Sequence, residues 1–156
     1  MGGDTMHYLV VVRHGEYNKR TSHLNAAGRA QIRAVTSKIS WLAPRPRLKI
    51  FCSSAQRTRE SATVISRGLG VEVAQRQFLR SMTDLTERQI QQALSLVRRH
   101  QYLDMLVLIT HLEFTRDLPD YVSREFFGIP FPRQEVAKGG AWLIDFEHRT
   151  IVQLAH

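Results

Sequence analysis

Two histidines and two arginines stand where chemistry could be done. His14 follows Tyr8-Leu9-Val10-Val11-Val12, a run of strand-forming residues that ends abruptly in Arg13-His14-Gly15. The run lacks polar alternation, as expected of a strand buried in a parallel sheet. Glycine lets the backbone turn beside the imidazole, and ligands of open α/β sheets sit at the carboxyl ends of strands. The working expectation is a nucleophilic His14 in an anion site, although the tripeptide alone also fits an ordinary polar turn. Asp104-Met105-Leu106-Val107-Leu108-Ile109-Thr110-His111 repeats the pattern of an apolar run closed by an imidazole. If both strands are parallel in one sheet, His14 and His111 emerge at the same edge. Arg57 falls in the first turn of a helix, where the helix dipole disfavours a cation. An anion held between that arginine and the helix N-terminus would relieve the conflict; free solvation of the arginine is the plainer alternative.

The elements that must position these groups can be read in order. Tyr17 to Leu24 is a polar, basic loop that could rim a site. Asn25 reads as an N-cap, and Ile32, Val35, Ile39 and Leu42 form the apolar stripe of a helix over 26–42, ended by Pro44 and Pro46. Leu48 to Cys52 is a second strand closing in Ser53-Ser54, with Cys52 read as a buried strand residue. Thr58, Ala62, Ile65 and Leu69 mark a second helix, with Gly68 and Gly70 at its end. Val71-Glu72-Val73 reads as a short third strand and 75–83 as a loop. Asp84 or Thr86 then caps a helix reaching about Arg99, with Leu85, Ile90, Leu94 and Val97 facing inward. A short helix covers 113–122. The aromatic, proline-limited stretch 126–132 could shape a pocket mouth, but covering the core is its simpler role. Residues 141–146 and 150–154 close the chain as a hairpin turned at Glu147-His148-Arg149. His7, His23, His100, His148 and His156 have no evident partners and read as surface residues.

The chain has 156 residues, 43% of them apolar, the size and composition of one globular domain over 1–156. Residues 1–6 are expected to be a flexible N-terminus. No apolar stretch approaches a membrane span, and Met1 to Thr5 lacks the pattern of a signal peptide. Cys52 is the only cysteine, so no internal disulfide can form, which suits a reducing cytoplasm. The net charge of +8 is uneven. Residues 1–60 hold eleven Lys or Arg against Asp4, Glu16 and Glu60, whereas residues 61–156 hold eleven of each sign. A field attracting anions could therefore converge near His14. Nucleic acid is the rival partner, but the basic residues form no dense tract and carry no interleaved aromatics. Neither nucleic acid nor membrane is expected as a partner.

Taken together these residues resemble the histidine phosphatase, or phosphoglycerate-mutase-like, superfamily. Arg13-His14-Gly15 resembles its signature after the first strand. Leu24-Asn25-Ala26-Ala27-Gly28-Arg29-Ala30-Gln31 is similar to its Leu-Thr-x-x-Gly-x-x-Gln helix start, with Asn25 in place of threonine. Cys52-Ser53-Ser54-Ala55-Gln56-Arg57-Thr58 is similar to its Ser-Ser/Pro-x-x-Arg-Ala segment, and Thr110-His111 to its second histidine. The resemblance implies a three-layer α/β/α sandwich with a mostly parallel central sheet. It also implies that His14 takes the phosphoryl group while Arg13, Arg57 and His111 hold the phosphate oxygens, with no metal or other cofactor. The chemistry agrees: phosphoryl transfer needs an in-line nucleophile and positive groups around the equatorial oxygens. Imidazole attacks only when neutral, a state that neighbouring arginines favour.

Three departures narrow the resemblance. Thr110-His111-Leu112 is similar to the Ser-His-Leu of the small SixA-type phosphohistidine phosphatases rather than to members with glycine after the histidine. The mutase-like branches carry a long helical insertion, with a glutamate acid, before the second-histidine strand; here only 75–99 is available. The mutase-type asparagine beyond Arg-His-Gly is replaced by Arg20. An open site suited to a phosphohistidine on a protein is therefore expected, with a small phosphorylated molecule or a non-catalytic phosphate-recognition role as alternatives. For the general acid Asp84, Glu113 and Glu16 are candidates, and Asp84 is preferred because it falls in the family's variable acid loop.

Overall fold

The computed structural model describes residues 6–42 and 47–155. Residues 1–5, Pro44, Pro46 and His156 lie outside this range. Leu9, Val10, Val11 and Val12 are completely buried because their strand, β1 (Tyr8–Arg13), runs through the middle of the sheet. The other strands are β2 (Leu48–Cys52), β3 (Val73–Gln75), β4 (Met105–Thr110), β5 (Ala141–Asp145) and β6 (Thr150–Ala155). Their order across the sheet is β3-β2-β4-β1-β5-β6. The first four strands are mutually parallel, and β5 runs antiparallel to both β1 and β6.

Alternation along β1 and β4 divides the interior in two. Val10, Val12, Val107 and Ile109 face α1 (Ala26–Leu42) and α2 (Gln56–Leu69), against Ile32, Val35, Ile39 and Ile65. Leu9, Val11, Leu106 and Leu108 face α3 (Glu87–Arg99) and α4 (Leu112–Val122), against Ile90, Leu94, Phe114 and Leu118. The result is the expected three-layer α/β/α sandwich. Each buried aliphatic side chain contributes about 1.5–3 kcal/mol, so both faces of β1 anchor the strand on which His14 is carried. The register pairs Arg13 with Thr110, and this brings His14 and His111 out side by side.

Several local readings shift. The third strand begins at Val73 rather than Val71, because Gly70 adopts a left-handed conformation (φ 69°) and the amides of Gly70 and Val71 both return to the Ser66 carbonyl. Val71 is thus consumed in closing α2. Thr86, not Asp84, caps α3: its hydroxyl accepts from the Gln89 amide while the Gln89 side chain accepts from the Thr86 amide. Residues 77–79 form a 3-10 turn that buries Leu79. Residues 123–127 extend α4 as a π-turn, and Phe126 and Phe127 pack edge-on against Phe146, so this stretch covers the core. Met6, expected in a flexible terminus, is buried with its amide on the Gln101 side chain. His23 and His148 are not partnerless either; they meet Glu60 at 2.5 Å and Asp145 at 2.8 Å.

The start of α1 is locked onto the loop after β1. Asn25 caps the helix by accepting from the Gly28 amide at 2.8 Å. Gly28 and Gly15 then touch backbone to backbone, and a Cβ on Gly28 would lie 2.0 Å from the Glu16 carbonyl oxygen. One turn later, Gln31 accepts from the Glu16 amide at 3.0 Å and donates to its carboxylate at 2.7 Å. A methyl group at Gly28 meets the Glu16 backbone rather than a side chain, so no rotamer relieves the clash. Gly28→Ala should therefore cost at least about 1–3 kcal/mol, lowering the thermal midpoint by roughly 5–10 °C in calorimetry. An unchanged midpoint would show that the contact is slack.

Candidate functional site

Gly15 and the start of α2 meet under the histidines. The Gly15 amide donates to Ser61 Oγ at 3.1 Å, and the Ser61 hydroxyl donates to the Arg57 carbonyl. The loop carrying His14 is thereby tied to the turn carrying Arg57. On the far side, the Gly139 amide donates to the carbonyls of Arg13 and His14 at 3.1 and 2.8 Å. Gly139 has φ 77°, a left-handed conformation that favours glycine.

These ties place Arg13, His14, Arg57 and His111 around one cleft of about 230 Å³, shared with Tyr17, Ser81 and Lys138. His14 is 4% exposed. Its Nδ1–H donates to the Gly15 carbonyl at 2.9 Å, since a carbonyl only accepts. Its Nε2 accepts from the Arg57 Nε–H at 3.3 Å, so the lone pair on Nε2 faces the cleft. Burial lowers the His14 pKa to about 4; the hydrogen bond to Gly15 opposes this, and Arg57, Arg13 and Lys138 add to it. The imidazole is therefore neutral at pH 7, and its nucleophilic nitrogen is unprotonated, with its lone pair engaged by Arg57.

His111 caps α4 and is also buried. Its Nδ1 accepts from Arg57 Nη2 at 3.4 Å, which puts the proton of the neutral ring on Nε2. That proton is donated to Ser53 Oγ at 2.8 Å; Ser53 donates to Thr58 Oγ1 at 2.5 Å, and Thr58 to the Ala55 carbonyl at 2.8 Å. Burial lowers the His111 pKa to about 3, helped by His14, Arg57, Arg80 and Arg13. The two rings stand edge to face, 5.4 Å apart.

The cations are held without an anion between them. Arg13 donates through Nη1 to the Val136 carbonyl at 2.7 Å, while its buried Nε has no partner among the described residues. Burial lowers its pKa, and Glu135 and Glu113 oppose this. The Tyr17 ring lies 4.8 Å from the Arg57 guanidinium and 5.1 Å from Lys138 Nζ, and meets the His14 ring at 5.2 Å. A tyrosine face attracts cations, so one side chain steadies two positive groups beside the nucleophile. Arg13, Arg57 and Lys138 together give the cleft the charge and donors that suit a compact tetrahedral anion, set beside the Nε2 lone pair.

Of the five site residues expected from sequence, four meet here and Asp84 does not. Asp84 is 92% exposed at its side chain and bonds to Arg116 at 3.0 Å, outside the cleft. The reason is that the chain enters the α3 cap at Thr86, which turns 83–85 away toward α4. Glu16 is occupied by Gln31. The carboxylate that does line the cleft is Glu113, in the first turn of α4, held by the Ser81 hydroxyl at 2.7 Å. Tyr17, Lys138, Ser53 and Ser81 were not singled out from sequence. A signal for Lys138 exists in Lys138-Gly139-Gly140: a double glycine immediately before an antiparallel strand brings its loop to the edge where β1 and β4 end.

The tautomer assignment is directly measurable. In imidazole nitrogen NMR, His14 Nε2 should carry no proton from pH 5 to 8 and should titrate near pH 4 rather than near the ordinary 6.5. Removing one repelling cation with Lys138→Met should move that midpoint upward. A midpoint near 6.5 in the parent protein, or a protonated Nε2 at pH 7, would overturn the assignment.

Solved structures share this fold over almost their whole length. A chain assigned as an α-ribazole-5'-P phosphatase from Escherichia coli superposes with a TM-score of 0.68 at 14% identity, covering 96% of this chain and 95% of that one. One assigned as the phosphohistidine phosphatase SixA from Agrobacterium tumefaciens gives 0.61 at 19% identity, covering 94% of each. A mycobacterial glucosyl-3-phosphoglycerate phosphatase gives 0.62 at 15% identity, covering 94% and 96%. No curated protein matches the chain in sequence. The family model described as histidine phosphatase superfamily (branch 1) matches residues 9–83. That match takes in Arg13, His14 and Arg57, so the chain is similar to the histidine phosphatase superfamily in sequence over residues 9–83 and to the solved structures above in fold.

Proposed function

We propose that the protein is a phosphatase acting through phosphorylated His14, and that its preferred substrate is a phosphohistidine borne by another protein. The observation that carries this reading is the His14 imidazole, with Nε2 unprotonated, facing a cleft that also holds Arg13, Arg57 and Lys138. The substrate phosphorus would lie in line with Nε2. Attack forms the P–Nε2 bond as the bond to the leaving group breaks, and the leaving group takes a proton. Arg57, which rests on Nε2 and His111, would swing its donors to the phosphate oxygens and expose the lone pair. Arg13 and Lys138 stabilise the charge on those oxygens, and His111 joins them when the bound phosphate draws a proton onto its Nδ1. Water then attacks phosphorus, the P–Nε2 bond breaks, and inorganic phosphate leaves.

Glu113 is the group placed to give the leaving atom its proton and to take one from water. Ser81 fixes one of its oxygens and leaves the other toward the cleft. A phosphoramidate leaves readily, whereas an alkyl alcohol needs protonation. The shape of the site supports a large substrate. The stretch between β3 and β4 is a 3-10 turn followed by α3, whose apolar side is spent on the core. The rim keeps Met82 exposed. The solved relatives named above differ widely in the phosphates of their names, so a small phosphomonoester is the second reading.

Activity profiling of the parent protein, His14→Ala and Glu113→Gln distinguishes these. The parent should act on a phosphohistidine protein and an aryl phosphate faster than on sugar phosphates, and should yield an acid-labile, alkali-stable phosphoenzyme. His14→Ala should lose on the order of 10⁴-fold or more. Glu113→Gln should lose about 10²-fold on alkyl phosphates and much less on phosphohistidine. Turnover of sugar phosphates alone would establish the second reading. Phosphopeptide binding without turnover would make the protein a recognition module.

A further inference from the structure

The outer helices are not equally charged. The layer formed by α1 and α2 carries six basic residues and one acid, Glu60, whereas α3 and α4 together carry four of each sign. Between α1 and α2 runs an open groove of about 640 Å³, lined by Arg29, Arg33, Arg67, Glu60, Thr36 and Thr63 among others. All three arginines are exposed. Arg29 reaches Glu60 at 3.8 Å, but Arg33 and Arg67 meet no carboxylate at ion-pair distance among the described residues. Two cations along an open groove therefore stand unneutralised.

The Glu60 end of the groove lies about one turn of α2 from Arg57 in the phosphate cleft. Glu60 accepts from the Leu24 amide at 2.8 Å and meets His23, in the loop that leads from His14 to α1. Arg57, in the cleft, is three residues earlier on the same helix, a rise of about 4.5 Å. From Glu60 to Gly68 the groove follows α2 for about 12 Å, the length of roughly four residues of extended chain. We infer that this groove docks an acidic stretch of the substrate polypeptide, about four residues long, next to the phosphorylated residue. The inference rests on the phosphatase reading and adds the chemistry of the partner. A nucleic acid fits less well. No aromatic side chain lines the groove for base stacking, and Glu60 would face a backbone that is negative at every step. Carboxylates spaced along a peptide can meet Arg33 and Arg67 and leave Glu60 beside a neutral residue.

The test uses the full chain and two phosphohistidine peptides that differ only in four flanking residues, Glu in one and Ser in the other. Arg33→Glu/Arg67→Glu is the variant, since neither residue touches the cleft and the Arg29–Glu60 contact is kept. The parent should favour the Glu peptide in kcat/KM by about tenfold at low salt, and 0.5 M salt should erase the preference. The double variant should lose or invert it while turning over an aryl phosphate at the parent rate. Equal kcat/KM for the two peptides, or a preference that survives in the variant, overturns the proposal. Fluorescence anisotropy with the unphosphorylated Glu peptide reads the groove even if the protein hydrolyses neither phosphopeptide. Binding lost in the double variant then supports the groove while the catalytic reading fails. Unchanged binding, or tighter binding of a single-stranded oligonucleotide, overturns it.

Discussion

Positive groups crowd around a nucleophile that must itself stay uncharged. Arg13, Arg57 and Lys138 line a cleft with two buried imidazoles, and Glu113 is the one carboxylate among the residues lining it. Like charges at such range repel, so each cation needs a partner that is not the nucleophile. Arg13 has a carbonyl, and Arg57 and Lys138 share the Tyr17 ring. The same repulsion works on the histidines in the useful direction. Together with burial it removes their protons, so the field that attracts a phosphate also prepares the nitrogen that would attack it.

This arrangement is maintained by covalent sequence proximity only in part. His14 and His111 are brought together by the parallel pairing of β1 and β4, and a slip of one residue would turn one imidazole into the other half of the core. Both faces of β1 are apolar, so side-chain fit opposes that slip: Leu9 and Val11 would exchange places with Val10 and Val12 in two cores packed for them. Above the strands, Gly15, Gly28 and Gln31 clamp the turn, and Ser53 with Thr58 fixes which nitrogen of His111 carries the proton. Motif residues that look like a helix start in sequence act in three dimensions as the back wall of the nucleophile loop.

What could be read from the chain divides along the same physical line. Features set by local pattern were legible: the strand ends at Arg13-His14 and Thr110-His111, the α1 stripe, the Asn25 cap, the placement of Arg57. Features set by a residue's neighbours in space were not. Asp84 and Glu113 are both carboxylates near an element start, and sequence offers no reason to prefer the second. The choice depends on the Thr86 cap, which turns Asp84 toward Arg116, and on Ser81, which reaches across to Glu113. Lys138 enters from a loop far along the chain, and Tyr17 looks like one more residue of a polar loop until two cations are found on its ring. The third strand starts two residues later because the glycine cap of α2 draws the Val71 amide back to the Ser66 carbonyl, a local bond that wins over strand pairing.

The cleft accounts for how a phosphate would be taken and leaves open whose phosphate it is. A site of about 230 Å³ holds a phosphoryl group and little beyond the first atoms of its leaving group. Recognition of anything larger must come from surfaces outside it. The two helices that start at the cleft are where the charge of the molecule is concentrated, and the sheet's other helical layer carries none in net. Catalytic cations tucked around His14 cannot distinguish one phosphate from another, since they bind oxygens common to all. Exposed arginines farther along the same helices, Arg67 about three turns beyond Arg57 on α2 and Arg33 about two turns into α1, would act on what surrounds the phosphate. Under the docking proposed above, chemistry and selectivity would be carried by different faces of the same helices, the inner turn for the phosphoryl group and the outer groove for its bearer.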